Sequence, residues 1–548
     1  MLSSKLLQLS LLACQLGATL ASPLASQNQS PNSVSPRATT FNNPVLWEDY
    51  PDLDVFRIGD VFYYSSSTFA YSPGAPVLKS YDLVNWEPVT HSVPTLTFGS
   101  QYNLNGSRAY VGGIWASSLR YRESNDQFYW MGCVSGGKTY IWTAPGNSAA
   151  KNNGEVSEWK WTERTPIDRC YYDNGIFIDD DDTMYVAYGN TKISIAQLSQ
   201  DGLSEVKNQE VYAGSFYIEG ARMYKRGGYY YILVTRPANA EFVLRSKDVF
   251  GPYEIHTLLD NISGPLANAG VSHQGGIVET ASHDWYYVAF MDSYPGGRIP
   301  VVAPITWSSD GWPQLVTVNG AWGKSYPMPV QTSKTVKAPT GRDEFNGTAL
   351  SHEWEWNHNP DNSKWQLTSS GLTLRTATVT NDLFAARNTL THRIIGPKST
   401  GTFRLDISAM RDGDRAGAAL FRDRAAYIGV WKDGTTSKIV MVNNLNLSEN
   451  GWATSSTGTV AATGPNVTGS EVWLRVNADI TPAFGLTQER TTTFSYSTDG
   501  KTWQNLGPAF AMSNSWTYFT GYRYAVFNHA TKALGGEVKV KSFEMQLA

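Results

Sequence analysis

One phrase recurs along the chain. From Tyr217 to Val234 a single acidic residue, Glu219, stands ahead of an apolar stretch. A basic, Gly-rich turn at Lys225-Arg226-Gly227-Gly228 follows, then the run Tyr229-Tyr230-Tyr231-Ile232-Leu233-Val234. Strand-forming residues on either side of a tight turn read as a β-hairpin with a carboxylate at its entrance. Asp52 leads a similar pair, Val55-Phe56-Arg57-Ile58 and Val61-Phe62-Tyr63-Tyr64. Trp115, Asp173 and His273 lead three more, whose second strands are Phe128-Tyr129-Trp130-Met131, Met184-Tyr185-Val186-Ala187 and Trp285-Tyr286-Tyr287-Val288. Five copies at a period of about 50 residues are the mark of four-stranded propeller blades. If the first strand of each blade lies innermost, Asp52, Trp115, Asp173, Glu219 and His273 ring one mouth of the central channel. One acidic residue at a strand entry is easily a solvated turn residue. Three in the same phase of a repeat point to a site.

The repeat ends well short of the C-terminus, and 548 residues are too many for one ordinary core. Pro327-Met328-Pro329 through Ala338-Pro339-Thr340-Gly341 reads as a linker. Beyond it, alternating runs such as Thr402 to Ile407, Val472 to Val476 and Thr493 to Tyr496 predict an antiparallel β-sandwich. The fold expected is all-β: a five-bladed β-propeller over 43–326, a linker over 327–341 and a sandwich over 342–548. Ahead of these, 1–21 has the basic start, apolar run and small residues of a cleaved secretory signal, and 22–42 the composition of a disordered leader. The chain is therefore expected to be secreted and extracellular, with no membrane span.

Only 17% of residues are charged, the net charge is -4 and no basic block occurs, so nucleic acid is not an expected partner. Aromatics reach 13%, with 19 Trp and 30 Tyr, which suits flat platforms for sugar rings. Cys133 and Cys170 either pair or remain two buried thiols; Cys14 leaves with the signal. Sequons at Asn28, Asn105, Asn261, Asn346, Asn446 and Asn466 suggest N-glycosylation in a eukaryotic host.

Carboxylates gathered at one opening suit glycosidic cleavage, in which one carboxylic acid protonates the leaving oxygen and one carboxylate acts from the other face of the sugar. Blades one and four face each other across a fivefold ring, so Asp52 is the expected base and Glu219 the expected acid. Asp173, on the blade beside Glu219, would supply a like charge that keeps the acid protonated. Arg298 would hold Asp52 ionised if it lies close. Phe69, Tyr71, Trp115, Tyr171, Tyr172, Phe216 and Tyr217 offer faces for sugars, with blade packing the expected fate of about half. His273 can be a base, a metal ligand or a hydrogen-bonded channel residue, and no second ligand stands beside it in sequence. Asp179 to Asp182 lacks the glycine and distal Glu of a calcium loop and reads as a solvated turn.

With Tyr50-Pro51-Asp52, Gly113-Ile114-Trp115-Ala116, Asp173 before Ile176-Phe177, Ile218-Glu219-Gly220 and His273-Gln274-Gly275-Gly276 in order, the chain resembles glycoside hydrolase family 43 over about 43–316. From Asp343-Glu344-Phe345 onward it is similar to the concanavalin-like domain of many members. The resemblance implies an inverting mechanism with Asp52 as base, Glu219 as acid and Asp173 as pKa modulator and orienter. It further implies that Arg298 contacts the sugar or the base and that a calcium ion or water cluster lies near His273; no cofactor is required, and the residues expected to bind substrate are Phe69, Trp115, Tyr172, Tyr217, His273 and Arg298. Leu53 and Asn174 depart from the Pro often found after the base and modulator, and Gly220-Ala221 from the Gly-Pro often found after the acid. The wording of the blades is most similar to fungal arabinofuranosidases acting on arabinoxylan or arabinose-substituted xylo-oligosaccharides, including doubly substituted xylose, as monomers. A β-xylosidase, an endo-arabinanase and a lectin-like polysaccharide-binding propeller remain the alternatives.

Overall fold

In the computed structural model, which describes residues 38–548, the long elements are β-strands and the helical segments are 3-10 turns of three or four residues. Five four-stranded sheets follow one another in the chain with their strands in chain order, the first leaving out Tyr71–Ser72. Their first strands are Asp54–Ile58, Ile114–Arg122, Gly175–Ile178, Glu219–Arg226 and His273–Glu279. Each of these touches the first strands of its two neighbours, which makes them the inner ring of a five-bladed propeller. In the fourth blade the hairpin is closed by Gly227 and Gly228, with φ of +58° and +79° between the paired residues Arg226 and Tyr229. Only glycine takes that left-handed pair without strain, which is why the turn reads so clearly in the sequence.

Apolar cores lie between adjacent blades rather than within one. The channel itself is polar and crossed by Arg222, which is 1% exposed. Its guanidinium donates to the carbonyls of Asp52 and Leu53 in the first blade, Ser117 in the second and Asn174 in the third. One side chain thus satisfies carbonyls from three blades that no ladder could reach. The ring is closed outside the blades. Thr40–Asn42 pairs with Ser325–Pro327, and the Asn43 side chain exchanges hydrogen bonds with the backbone of Val302 and donates a further one from its amide to the Gly323 carbonyl. Thr40–Asn42 is therefore a strand, where the sequence suggested the end of a disordered leader. Residues 22–37 of that leader, the signal segment, Cys14 and Asn28 lie outside the described residues.

Beyond the propeller, an eight-stranded and a nine-stranded antiparallel sheet form the C-terminal β-sandwich. Trp354, Phe403, Leu474, Ile428 and Val526 are among the residues that fill the space between them. The outer face of the eight-stranded sheet is buried as well, in part by Tyr110 of the propeller. Tyr71–Ser72 adds to this sheet by pairing with Asn357 and Trp356. At the same junction Glu355, fully buried, accepts from Arg393 at 2.8 Å, Arg523 at 2.6 Å and lies 3.1 Å from His91, so both halves of the chain meet on one carboxylate.

Cys133 and Cys170 form a disulfide joining the end of a second-blade strand to the entrance of the third blade. Of the sequons described, Asn105, Asn261, Asn346 and Asn466 are exposed and Asn446 is half-buried.

Candidate active site

The local backbone at the mouth explains why the carboxylates converge. Asp52 and Asp173 sit just ahead of the first strands of blades one and three with φ of +53° and +50°, a region that Asp tolerates better than most residues. Blades two, four and five reach the same end by β-bulges, between Ile114 and Ser117, Glu219 and Arg222, and His273 and Gly276. A bulge re-aims the side chain that precedes it. Asp52, Asp173 and Glu219 consequently line one cavity of about 220 Å³. That is below the ~300–1,000 Å³ of sites for drug-sized ligands and of the order needed for a single sugar ring. Phe69, Trp115, Tyr172 and Phe519 supply apolar walls, and Gln274 and Arg298 polar ones. A second cavity of about 370 Å³ shares Glu219, Gln274, Arg298 and Phe519 and runs past His273 to Phe484 and Trp516.

The two opposed carboxylates are treated differently. Asp52 accepts a bidentate pair from Arg298, at 2.6 and 3.0 Å, and a hydrogen bond from Ser67 Oγ at 2.5 Å. A fork-to-fork contact of this kind fixes the plane of the carboxylate. Glu219 has no cation on it. Burial pushes its carboxyl above the usual range; the phenols of Tyr217 at 2.7 Å and Tyr172 at 3.0 Å pull back the other way, and the Asp52 charge adds to the rise. Asp173 is pushed well up by its own burial, then by Glu219 and Asp52, with Arg222 and Arg298 opposing. The sequence reading cast Asp173 as the like charge acting on Glu219. In the folded protein the two carboxyls share one cavity and burial is the largest cause raising each, with the Glu219 charge adding to the rise of Asp173.

Phe69, Trp115, Tyr172 and Arg298 stand where the sequence expected them, in the wall of the first cavity. Tyr217 is 46% exposed and reaches the site through its hydrogen bond to Glu219. His273 lines the second cavity, with Nδ1 on the carbonyl of Val271. Three other aromatics are packing residues. Tyr71 lies under the guanidinium of Arg523 at the domain junction, Tyr171 is buried with its hydroxyl on Glu205, and Phe216 packs on Phe242. In the Asp179 to Asp182 turn, Asp179 binds Lys225 and Tyr230 of blade four, and Asp182 binds Arg122 and Ser124 of blade two. Among the described residues no three His, Cys, Asp or Glu side chains gather as a cation would require.

Ser67, Val111, Gln274, Phe484, Trp516 and Phe519 were not anticipated. Gln274 adjoins His273 in sequence and could have been inferred from it; its backbone amide is held by Glu241 at 3.0 Å. The last three come from the sandwich, and nothing in their local sequence distinguishes them from surface aromatics. Phe519 stacks on Phe69 with ring centroids 5.8 Å apart, at 24° between planes.

A sugar-sized pocket at a propeller mouth, with one carboxylate clamped by Arg and an opposing carboxyl held towards its acid form, defines a glycoside hydrolase. A family model described as "Glycosyl hydrolases family 43" matches residues 41–313, and one described as "Beta xylosidase C-terminal Concanavalin A-like domain" matches 342–546. A solved structure, of a family 43 glycoside hydrolase whose active site was engineered to give both endo-xylanase and exo-arabinofuranosidase activity, is 64% identical. It superposes with a TM-score of 0.91 over 93% of this chain and 100% of that one. The chain belongs to glycoside hydrolase family 43. A beta-xylosidase of Formosa agariphila is 28% identical, covering 92% of this chain and 90% of its own. A non-reducing end alpha-L-arabinofuranosidase of Bacteroides ovatus is 30% identical, covering 63% of this chain and 66% of its own.

Proposed function

We propose that the protein is an inverting α-L-arabinofuranosidase that removes arabinofuranosyl side chains from arabinoxylan, including those on doubly substituted xylose. The observation that carries this reading is the opposed treatment of Asp52 and Glu219 across a cavity sized for one sugar. Glu219, kept protonated by burial, donates its proton to the glycosidic oxygen as the bond to the anomeric carbon breaks. Asp52, oriented by Arg298 and Ser67, takes the proton of a water that attacks that carbon from the opposite face. The products are the free sugar with inverted anomeric configuration and the shortened branch. Asp173, between them, orients the sugar and buffers the charge of the site. Water is the only co-reactant, and no cofactor enters the balance.

The choice of arabinose rests on the 64% identical family member whose engineered form shows exo-arabinofuranosidase activity. The second reading, a β-xylosidase, is favoured by the Formosa relative, which matches across both domains. We read the chain as a secreted monomer, glycosylated where the host allows it, acting on polymer or on branched oligosaccharides. Incubation with xylo-oligosaccharides carrying one or two arabinosyl branches, with NMR of the first sugar formed, separates these readings. Release of arabinose as the inverted anomer is expected. Release of xylose from unbranched chains would favour the β-xylosidase reading, and the retained anomer would overturn the mechanism. Binding of the oligosaccharides without turnover would point to a lectin.

A further inference from the structure

Asp49 lies three residues ahead of Asp52 and is buried, at 4% exposure. Its carboxylate accepts from two backbone amides that are far apart in the chain. Oδ1 accepts from Arg298 N at 2.8 Å and Oδ2 from Gly521 N at 2.8 Å, while its own carbonyl accepts from Arg393 Nε at 2.8 Å. The first amide belongs to the residue that clamps Asp52. The second lies two positions after Phe519, the sandwich residue that walls the cavity.

The contact is built closely. A Cβ on Gly297 would fall 2.4 Å from Asp49 Oδ1, and a Cβ on Gly521 would fall 2.2 Å from the Gly296 carbonyl oxygen. Only glycine at both positions lets these three segments meet. Phe519 itself has φ of +62°, a conformation that an aromatic residue keeps only when its surroundings over-determine it. Those surroundings are visible. Arg298 Nε and Tyr294 OH both donate to the Phe519 carbonyl at 3.1 Å, and the wholly buried Arg422 donates to the carbonyls of Ser513, Ser515 and Thr520.

We propose that Asp49 is a positioning residue that couples the sandwich to the reacting carboxylate. One oxygen sets Arg298 against Asp52, and the other sets the 513–521 loop so that Phe519 closes the wall. The proposal rests on the reading of Asp52 as base. It requires a carboxylate, because both oxygens face N–H donors. Asparagine would turn an NH₂ towards one of them and break that contact.

Asp49→Asn is therefore expected to lose about 10- to 100-fold in kcat/KM, in line with misplacement of a reacting group by a fraction of an ångström to an ångström. The loss should fall mainly in kcat, since the Arg298 clamp matters most where Asp52 takes its proton. Phe519→Ala combined with Asp49→Asn should lose less than the product of the two separate losses, because both act through the same wall. Hydrogen exchange in Asp49→Asn should quicken at the amides of Arg298 and Gly521 while the third blade is unchanged. Wild-type kcat in Asp49→Asn, or losses that multiply with Phe519→Ala, would overturn the proposal. If Asp49→Asn does not fold, exchange in the unmodified enzyme decides: Gly521 and Arg298 amides are both expected in the slow class, and rapid exchange at Gly521 overturns the link. That measurement needs no substrate, so it separates failure of this coupling from failure of the assigned reaction.

Discussion

At the residue scale, the site depends on one carboxylate, Asp52, being clamped by Arg298 while a second, Glu219, is buried with two phenols on it and no guanidinium. Asp52→Asn and Glu219→Gln are each expected to lower turnover of a natural oligosaccharide substrate, whose sugar leaving group needs protonation, by about 10²–10⁴-fold while leaving the fold intact. Activity of either variant within a few-fold of wild type would refute the assignment. The phenols of Tyr172 and Tyr217 hydrogen-bond the Glu219 carboxylate and so favour its ionised form. Removing them leaves burial and Asp52 less opposed, and the acid titrates higher. Tyr217→Phe should therefore move the alkaline limb of the kcat/KM–pH profile to higher pH, and Tyr172→Phe should do the same. A shift to lower pH, or none in either variant, would show that Glu219 is not the group behind that limb.

At the scale of elements, the propeller is held by contacts that cross between blades. Arg222 is the clearest case, since the inner strands end in carbonyls with no ladder partner at the channel. Arg222→Met would keep much of the volume and leave carbonyls of blades one, two and three unsatisfied. A loss of about 3–5 kcal/mol of stability is expected, measured by denaturant unfolding with unchanged m-value. A loss below about 1 kcal/mol would mean that water replaces the guanidinium. The blades themselves were readable as elements, because the Gly227-Gly228 turn and the aromatic run after it carry local conformational signals. The bulges that aim Glu219 and His273 were not, since a bulge follows from how two strands are forced to share a ring.

For the whole molecule, burial perturbs two carboxyls that do not line the cavity. Glu48, at the junction with the sandwich, and Glu241, behind Gln274, are each pushed up to about 8 by loss of solvent. A raised value in the folded state means that the native protein keeps a proton that the unfolded chain releases near pH 4.5. Stability contributed by these groups is full below that pH and is lost as pH rises towards 8. Glu241→Gln and Glu48→Gln should therefore gain stability relative to wild type as pH increases. The gain from pH 4 to pH 8 should be on the order of 2–4 kcal/mol for each. A pH-independent difference in unfolding free energy would show that the carboxyls are solvated or paired. The same burial ties both halves of the chain together through Glu355, Arg393 and Arg523, so the sandwich is part of the structure that carries the site.

What the linear chain determined by itself is the repeat and its phase. Asp52, Asp173 and Glu219 announced themselves because hairpin entry is a local event, governed by turn chemistry and alternation within some twenty residues. Trp115 and Tyr172 came with them for the same reason, whereas Arg298 opens the third strand of the last blade and was read from its loop. What only the tertiary structure decided is everything that depends on distance between segments. Phe519 and Trp516 reach the cavity from more than two hundred residues beyond the last blade. Tyr71, Tyr171 and Phe216 turn away from it. Burial and electrostatic coupling are properties of a packed three-dimensional neighbourhood, and no local pattern of residue types encodes which neighbours that packing will supply.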